Sequence, residues 1–412
     1  MSGPAGLPRL LLGIGRRALT LEENAALHGE LHGRDRPERL AAEVGRSGLG
    51  GCGGAGFPTE AKLRSVARAG GRPVVVVNGC ESEPASRKDR LLLERLPHLV
   101  LDGALTAARI VGSRTIIVAV EEQASRAADA VALAVAERPE LARRGFVARV
   151  VGVAGGYLSG QDTALVAALG GAPARPSLTP PYPSERGVGR RPTFVSNVET
   201  HAHLALIARH GSGWFRELGS AEGPGSRLVT VAGAVAQPGV VEGENGSPLA
   251  PLLAATGGAG EPLRALLVGG YGGTWVQPEY PGPAIGRGVG IVQALPMSAC
   301  PVAEVARVTA WLAGESAGQC GPCVHGLGSI ADALAELTAA GDVSGAYRRV
   351  QRWCEMITGR GACAHPDGAA RFVSSALCVF AEEFDDHARH GRCEACLRRP
   401  VLPLPSKELL AA

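Results

Sequence analysis

The chain has 412 residues, of which 45% are hydrophobic, and at about 150 residues per domain this length allows about two or three domains. The net charge is only +3 and the aromatic content is 4%, with no basic cluster interleaved with aromatics, which excludes the electrostatic signature of a nucleic-acid-binding protein. The apolar run nearest the N-terminus, Leu10–Leu12, is far shorter than the roughly 20 residues that cross a bilayer. We therefore expect a cytoplasmic protein without a transmembrane segment.

A glycine-rich loop precedes the first predicted strand. The stretch Gly45–Lys62 has seven glycines within its first twelve residues, and a predicted helix over 60–69 follows it. Glycine adopts positive φ without a Cβ clash, so several N–H groups of such a loop can point into one concavity that binds a phosphate or a flat ring. The loop matches neither the G-x-G-x-x-G fingerprint nor the P-loop pattern, so alone it is weak evidence for a nucleotide site.

Strands and helices then alternate, which predicts a parallel sheet with helices on its faces. The predicted elements are strands over 73–78, 115–120 and 147–153, with a helix over 87–110 between the first two strands. Polar residues 78–84 follow the first strand, and a second glycine loop, 154–160, follows the third. Open α/β sheets bind ligands at the carboxyl ends of their strands, so we expect both segments at one ligand-binding edge.

The rest of the chain predicts a further helix, a small β-rich unit and a helical region. Ser196, followed three residues later by Glu199, predicts a capping box for a helix that ends at about His210. Residues 227–292 contain a predicted hairpin with Pro238-Gly239 in its turn, then a short helix and another strand. Helical patterns predominate beyond this unit.

The cysteines are unevenly distributed, and eight of the ten lie between Cys300 and Cys396. A disulfide framework would be dense in a much shorter secreted chain, so this clustering indicates a metal ion or an iron–sulfur cluster. Cys320 and Cys323 form one C-x2-C pair, and Cys393 and Cys396 form another. A zinc site built from both pairs is one possibility, although their separation far exceeds the roughly 15 to 20 residues that are common in zinc modules.

Several blocks, in order along the chain, carry a resemblance to a known family. They are GGAGFPTEAK at 53–62, NGCESEP at 78–84, KDR and then PHL within 88–99, GYLSGQDTAL at 156–165, PPYP at 180–183 and NVET at 197–200. On these blocks the chain resembles the NADH-binding flavoprotein subunit of respiratory complex I and its relatives in NAD-dependent hydrogenases and formate dehydrogenases. The resemblance implies an α/β fold in which a parallel-sheet domain of the FMN- and NADH-binding type over 1–225 precedes a ubiquitin-like β-grasp domain over 226–294 and a helical bundle of the iron–sulfur type over 295–412.

The resemblance also implies where FMN and NAD(H) bind. The residues that match the family's FMN positions are Gly51, Gly53, Lys62, Asn78, Glu81, Ser82, Tyr157, Asp162 and Asn197. The residues that match the family's NADH platform are Phe57, Glu83 and Tyr182. In such a site the cofactor carries out the hydride chemistry, and the protein supplies binding and orientation.

The chain departs from the family around both ligands. Gly50 and Cys52 stand where the family loop has two arginines, which lowers the positive charge near FMN. On the NADH side, Thr179 replaces a lysine and Ser65 replaces an aromatic residue. The remaining departures near the flavin are Cys80 in place of Asp, Gln161 in place of Glu and Ser196 in place of Asn.

The family holds one [4Fe-4S] cluster with four cysteines, and this chain retains three of them. Cys320, Cys323 and Cys363 match three ligand positions, whereas Ala317 occupies the first and cannot coordinate iron. Three outcomes are open: the cluster is lost, three cysteines hold it with one iron site open, or another side chain supplies the fourth bond. The candidate replacements are Cys354, His325, Cys393 and Cys396.

On this basis we predict an electron-transfer flavoprotein, an NADH dehydrogenase-like oxidoreductase. Electrons would pass from NAD(P)H through FMN to a [4Fe-4S] cluster and then to a ferredoxin-like or other redox protein. A second hypothesis is a scaffold or interaction protein that keeps the fold but has lost NADH oxidation and the cluster.

Overall fold

The computed structural model describes residues 6–31, 36–54, 56–278, 284–286, 288–339 and 343–405. Its first sheet consists of β1 (Val74–Gly79), β2 (Thr115–Glu121), β3 (Val147–Val153) and β4 (Thr193–Asn197). The strand order is β3-β2-β1-β4, and all pairs are parallel. The four valines of β1 are fully buried because helices cover both faces of the sheet. The predicted parallel α/β architecture is therefore confirmed.

Helices surround this sheet. They are α1 (Leu21–His28), α2 (Pro37–Ser47), α3 (Thr59–Ala69), α4 (Lys88–Arg95), α5 (Pro97–Val111), α6 (Ser125–Ala136), α7 (Pro139–Arg143), α8 (Asp162–Leu169) and α9 (Val198–Phe215). Helices α5 and α9 pack so closely that a Cβ on Gly103 would lie 1.6 Å from the carbonyl oxygen of His201. Only glycine permits this approach of the two backbones.

Two local predictions are wrong. The helix predicted over 87–110 is divided into α4 and α5, because Pro97 lacks the N–H group that would continue α4 and instead begins α5. The capping box at Ser196 is not formed, because Asn197 is the cap and its Oδ1 accepts a hydrogen bond from the Glu199 N–H at 3.0 Å. The Glu199 side chain is buried and accepts a hydrogen bond from the Leu228 N–H instead.

A second, mixed sheet follows. Its elements are β5 (Ser226–Gly233), β6 (Gly239–Glu244), α10 (Ala250–Ala255), β7 (Leu263–Val268), β8 (Thr274–Val276) and β9 (Ile291–Pro296). The order is β6-β5-β9-β7-β8, with β5 and β9 parallel at the centre and the other pairs antiparallel. This arrangement is the one expected of a β-grasp unit. The β5–β6 hairpin is formed as predicted, but Gly239 begins β6 opposite Val231 and does not lie in the turn. The domain limits at 225 and 294 stay a prediction.

The C-terminal part is helical. Its helices are α11 (Pro301–Gly314), α12 (Gly328–Leu337), α13 (Ser344–Ile357), α14 (His365–Val379) and α15 (Ala381–His390), with a π-helical turn over Pro322–Leu327. The bundle shares a core with the second sheet, since the Trp275 ring lies 5.8 Å from Phe372 and 5.2 Å from Phe380 between centroids. Among the described residues, no helix has both the length and the apolar character that a membrane span requires.

Candidate functional site

The first glycine loop is closed on itself and attached to α9. The Gly51 N–H donates to the Phe57 carbonyl at 2.9 Å, and the Cys52 N–H donates to Thr200 Oγ1 at 2.9 Å. Gly54 and Gly56 have φ values of +110° and +62°. Side chains rarely adopt such left-handed conformations, so the shape of the loop requires glycine at these two positions.

The second glycine loop meets the end of β1 beside the first loop. Asn78 Nδ2 donates to the Gly160 carbonyl at 2.7 Å, and Asn78 Oδ1 accepts from the Cys80 N–H at 3.2 Å. A Cβ on Gly160 would lie 2.8 Å from the Cys80 carbonyl oxygen. Asn78 and Gly160 therefore join the two predicted ligand-binding segments at the carboxyl edge of the sheet.

A crevice follows this edge as two adjoining cavities of about 200 and 120 Å³. Both cavities are lined by Gly53, Asn78, Gly160 and Asn197. Ten of the twelve predicted ligand residues line the crevice, namely Gly51, Gly53, Phe57, Lys62, Asn78, Glu81, Ser82, Glu83, Asp162 and Asn197. A Cβ on Gly54 would meet nothing within 4 Å, so the backbone is open to the crevice there and fits a cofactor such as FMN that lies against the main chain.

Among the described residues, three cationic side chains line the crevice: Lys62, Lys88 and Arg227. Lys62 Nζ pairs with Asp162 at 2.6 Å, and Lys88 Nζ pairs with Glu199 at 2.9 Å. Arg227 is only 5% exposed, and its Nε has no hydrogen-bond partner among the described residues. Arg227 thus places a buried guanidinium with an unused donor at the wall of the crevice.

Arg227 is a site residue that the sequence analysis missed. It lies outside every block that carries the family resemblance, in a β5 sequence that otherwise indicates only a strand. The Leu228 N–H donates to Glu199 Oε1 at 2.8 Å, which joins β5 to the start of α9 and brings Arg227 to the crevice. Burial and the Glu199 carboxylate raise the pKa of Cys52 to about 12, although Arg227 lies close enough to oppose this shift. The guanidinium is therefore near the position at which the family loop has an arginine.

Two predicted acidic residues have internal partners. Glu81 accepts a hydrogen bond from the Asp89 N–H at 3.0 Å and so caps α4. Glu83 accepts from the Tyr157 hydroxyl at 3.1 Å and from the Tyr271 N–H at 2.8 Å. Burial raises the pKa of Glu83 to about 7 in spite of these two hydrogen bonds. Near neutral pH this carboxyl group therefore exists in both protonation states.

The three predicted aromatic residues have different surroundings. Phe57 and Tyr182 are 58% and 54% exposed, so both leave ring surface available to a ligand. Tyr157 and Tyr182 are not among the lining residues of the crevice in the described part of the chain. The Tyr157 ring packs 5.1 Å from Trp311 of α11, between centroids, and reaches the crevice through its bond to Glu83. Direct contact of these tyrosines with FMN or NADH stays a prediction.

The three cysteines predicted to hold a cluster lie beside the π-helical turn. Burial alone would raise the pKa of Cys320, but N–H groups of Ala362 and Cys323 outweigh it and lower the pKa. Burial and then the charge of Cys320 raise the pKa of Cys323 to about 12. Burial also raises the pKa of Cys363, and the charge of Cys320 contributes to that shift. The thiols of Cys320 and Cys323 contact each other and Cys320 lies near Cys363, so the three offer neighbouring thiolates to a [4Fe-4S] cluster.

The candidate replacements for the missing thiolate are located elsewhere. Among the described residues, Cys393 and Cys396 lie with Cys300 and His387 and not with Cys320 and Cys323, so a single zinc ion held by the two C-x2-C pairs is wrong. Their use as cluster ligands stays a prediction. Of the other two candidates, Cys354 is buried and hydrogen-bonded to Ser374, and His325 is exposed. Substitution by either of these stays a prediction.

Known proteins are similar to this chain in both its first α/β region and its C-terminal helical region. Residues 44–206 match the family model described as the Nuo51 FMN-binding domain, and residues 303–387 match the NADH-ubiquinone oxidoreductase-F iron-sulfur binding region. The chain is 32% identical over 387 residues to the second F subunit of the NADH-quinone oxidoreductases of Rhizobium meliloti (strain 1021), and the match covers 88% of this chain and 91% of that protein. The chain belongs to the family of NADH-quinone oxidoreductase F subunits. It therefore has the FMN-binding and 4Fe-4S-binding regions of an electron-transfer family. This finding supports the predicted electron-transfer flavoprotein over the scaffold hypothesis.

Other relatives agree with this family membership. The NADH-quinone oxidoreductase F subunit of Streptomyces coelicolor (strain ATCC BAA-471 / A3(2) / M145) is 32% identical over 386 residues, which cover 87% of this chain and 84% of that protein. Among solved structures, an NAD+-reducing [NiFe]-hydrogenase in the H2-reduced state matches with a TM-score of 0.81 and 29% identity. That match covers 86% of this chain but 63% of the hydrogenase chain, so this chain spans less than two thirds of it.

Proposed function

We propose that this chain is the NADH-oxidising flavoprotein subunit of a multi-subunit redox enzyme, with FMN bound in the crevice. The observation that carries the proposal is the convergence of two glycine loops and ten of the twelve predicted ligand residues on this crevice. Bound FMN would accept hydride from NADH and release the electrons singly to iron–sulfur centres. The side chains of this chain bind and orient both molecules.

In this proposal the backbone of the first glycine loop and the amides of Asn78 and Asn197 hold the flavin. Arg227 binds the FMN phosphate, because a guanidinium forms bidentate, charge-assisted hydrogen bonds with phosphate oxygens. The unused donor of Arg227 and its burial at the crevice wall support this assignment. Lys62 and Lys88 already pair with carboxylates and contribute mainly to the local potential.

The NADH side of the crevice uses exposed rings and one carboxyl group. Phe57 and Tyr182 provide apolar surface on which the nicotinamide stacks. Glu83 is held in place by Tyr157 and Tyr271, and with a pKa of about 7 it can donate a hydrogen bond when protonated. These contacts position the nicotinamide against the flavin.

The electron-transfer side uses Cys320, Cys323 and Cys363 as three ligands of the [4Fe-4S] cluster. With Ala317 at the fourth position, one iron site is open to water or to another small ligand. The relatives are named as parts of NADH-quinone oxidoreductases. By analogy, the electron acceptor of this chain is another redox subunit or a ferredoxin-like protein.

The test is reconstitution of the anaerobically purified chain with FMN, followed by titration with NADH. We expect about one flavin per chain, bleaching of the flavin absorption by NADH, and catalytic reduction of ferricyanide. NADPH serves as the parallel donor, and the ratio of the two rates assigns the nucleotide. Absence of bound flavin after reconstitution would refute the proposal, whereas bound flavin that neither nucleotide reduces would refute the NADH site alone.

A further inference from the structure

A second group of metal-ligating side chains lies apart from the predicted cluster ligands. It consists of Cys300, His387, Cys393 and Cys396, whose ligand atoms all lie within 4.8 Å of one another. Cys300 caps the start of α11, His387 lies on α15, and the other two belong to the tail after α15. We call this set the CCCH group.

The distances within the CCCH group match a single tetrahedral ion. Cys300 Sγ lies 3.5 Å from His387 Nε2 and 3.5 Å from Cys396 Sγ, and Cys393 Sγ lies 3.7 Å from Cys396 Sγ. Zinc bonds of about 2.3 Å to sulfur and about 2.0 Å to nitrogen place tetrahedral ligand atoms about 3.5 to 3.8 Å apart. Cubane thiolates bind different irons and lie farther apart, so the group is too compact for a [4Fe-4S] cluster.

Neighbouring backbone groups orient two of the ligands. His387 Nδ1 lies 2.8 Å from the Leu337 carbonyl oxygen, which requires the proton on Nδ1 and leaves the Nε2 lone pair directed at the sulfur atoms. Cys300 Sγ accepts a hydrogen bond from the Ala303 N–H at 3.4 Å. Hydrogen bonds of this kind accompany metal ligands, fix the histidine tautomer and support thiolate charge.

We propose that the CCCH group binds a structural Zn²⁺ ion. Three cysteines and one histidine are an established zinc ligand set, and four protein ligands leave no open position for catalysis. The C-x2-C spacing of Cys393 and Cys396 also fits zinc modules. A disulfide would use only two of the sulfur atoms and would give no role to the imidazole nitrogen that faces them.

The ion attaches the C-terminal tail to the bundle and, through it, supports the crevice. Beyond the CCCH group, the carbonyl of Pro403 accepts a hydrogen bond from the Tyr271 hydroxyl at 2.5 Å. The N–H of the same tyrosine donates to Glu83 at 2.8 Å. Zinc thus stabilises a tail segment that contacts the residue holding Glu83 in place.

The test is elemental analysis of the full chain, purified anaerobically without chelators and assayed for zinc, iron and sulfide together. We expect about one zinc ion per chain in the wild type and loss of most of it in Cys393→Ser. Cys393 is exposed, so this substitution opens no cavity in the core. Cys393→His should retain zinc, because two cysteines and two histidines also form a zinc site. Cys378→Ser removes an exposed cysteine outside both groups and should change nothing.

The same samples separate the two cysteine groups. Cys320→Ser should lower iron and leave zinc unchanged, and this holds whether or not the chain oxidises NADH. A wild type that takes up no zinc under reducing conditions would overturn the proposal, as would zinc that persists in Cys393→Ser. Loss of iron in Cys393→Ser would also overturn it, because the CCCH group would then belong to the iron–sulfur cluster.

Discussion

By the family resemblance, the flavin crevice and the cluster site each lack a side chain. Arg227 offers a replacement at the crevice, whereas replacement of the missing thiolate by another side chain stays a prediction. Cys52 stands where the family loop has an arginine, and Arg227 supplies a guanidinium near the same place from β5. Ala317 stands where the family has a cysteine, and Cys393 and Cys396 lie instead in the CCCH group. The bundle therefore contains a second group of thiols apart from Cys320, Cys323 and Cys363.

This difference follows from the range of the two interactions. The attraction between a cation and a phosphate falls slowly with distance, so a residue on another element can supply the charge. A metal–thiolate bond of about 2.3 Å requires a sulfur atom in one place and one direction. A lost charge can thus be replaced by a side chain some distance away, whereas a lost ligand requires a donor atom at the same point in space.

The largest effect is expected for Gly53→Val, which should abolish FMN binding. A Cβ at Gly53 would lie 3.5 Å from the Asn197 Cβ, an ordinary contact, so the fold accepts a side chain there while its branches fill the crevice. The measurement is flavin per chain after reconstitution, with thermal melting to show that the protein is folded. The control is Gly213→Val, since a Cβ at Gly213 would meet nothing within 4 Å. Flavin retained at the wild-type level would exclude this placement of FMN.

Arg227→Gln should raise the Kd for FMN about 10- to 100-fold, the effect of losing a hydrogen bond to a charged group. Riboflavin lacks the phosphate, so its Kd should not change. Arg227→Lys keeps the charge without the planar fork and should have an intermediate effect. Equal weakening of FMN and riboflavin by Arg227→Gln would mean that Arg227 stabilises the crevice but does not bind the phosphate.

Ala317→Cys should raise the iron content several-fold and slow the loss of iron in air, because it restores the fourth thiolate. We expect the wild type to hold substoichiometric iron that oxygen removes readily. Iron and sulfide analysis with low-temperature EPR measures both properties. Ser316→Cys adds a thiol one position away and is the matched control. A wild type that already carries a full, air-stable cubane would show that another side chain supplies the fourth bond.

The smallest effect concerns the pH dependence of stability at Glu83. Its pKa in the folded protein, about 7, is above the ordinary value of 4.5. The contribution of this carboxyl group to stability is therefore fully present below pH 4.5 and is lost as the pH rises to about 7. Glu83→Gln cannot titrate, so its free energy of unfolding should fall less than that of the wild type across this interval. The measurement is denaturant unfolding at a series of pH values. If the free energy of unfolding changes with pH equally in the wild type and in Glu83→Gln, Glu83 is not the titrating group.

Much of the first sheet and of the crevice could be predicted from the sequence. The strands predicted at 73–78, 115–120 and 147–153 agree with β1, β2 and β3 to within about one residue. For β1 and β2 this agreement arises because a buried parallel strand requires a continuous run of β-branched and apolar residues, whereas β3 is a partly exposed edge strand. The glycine loops were also recognisable, because positive φ and close backbone approach exclude most other residues.

Tertiary structure alone decided which distant side chains meet. Cys300 and Cys396 are 96 positions apart, and no spacing rule joins them to His387. Arg227 lies in an ordinary strand and acquires its place in the crevice only because β5 packs against the start of α9. The sequence by itself determined the elements whose backbone conformation restricts residue type. The partners of a charge or a thiol depend on how those elements pack, because nothing in the local backbone requires those particular side chains.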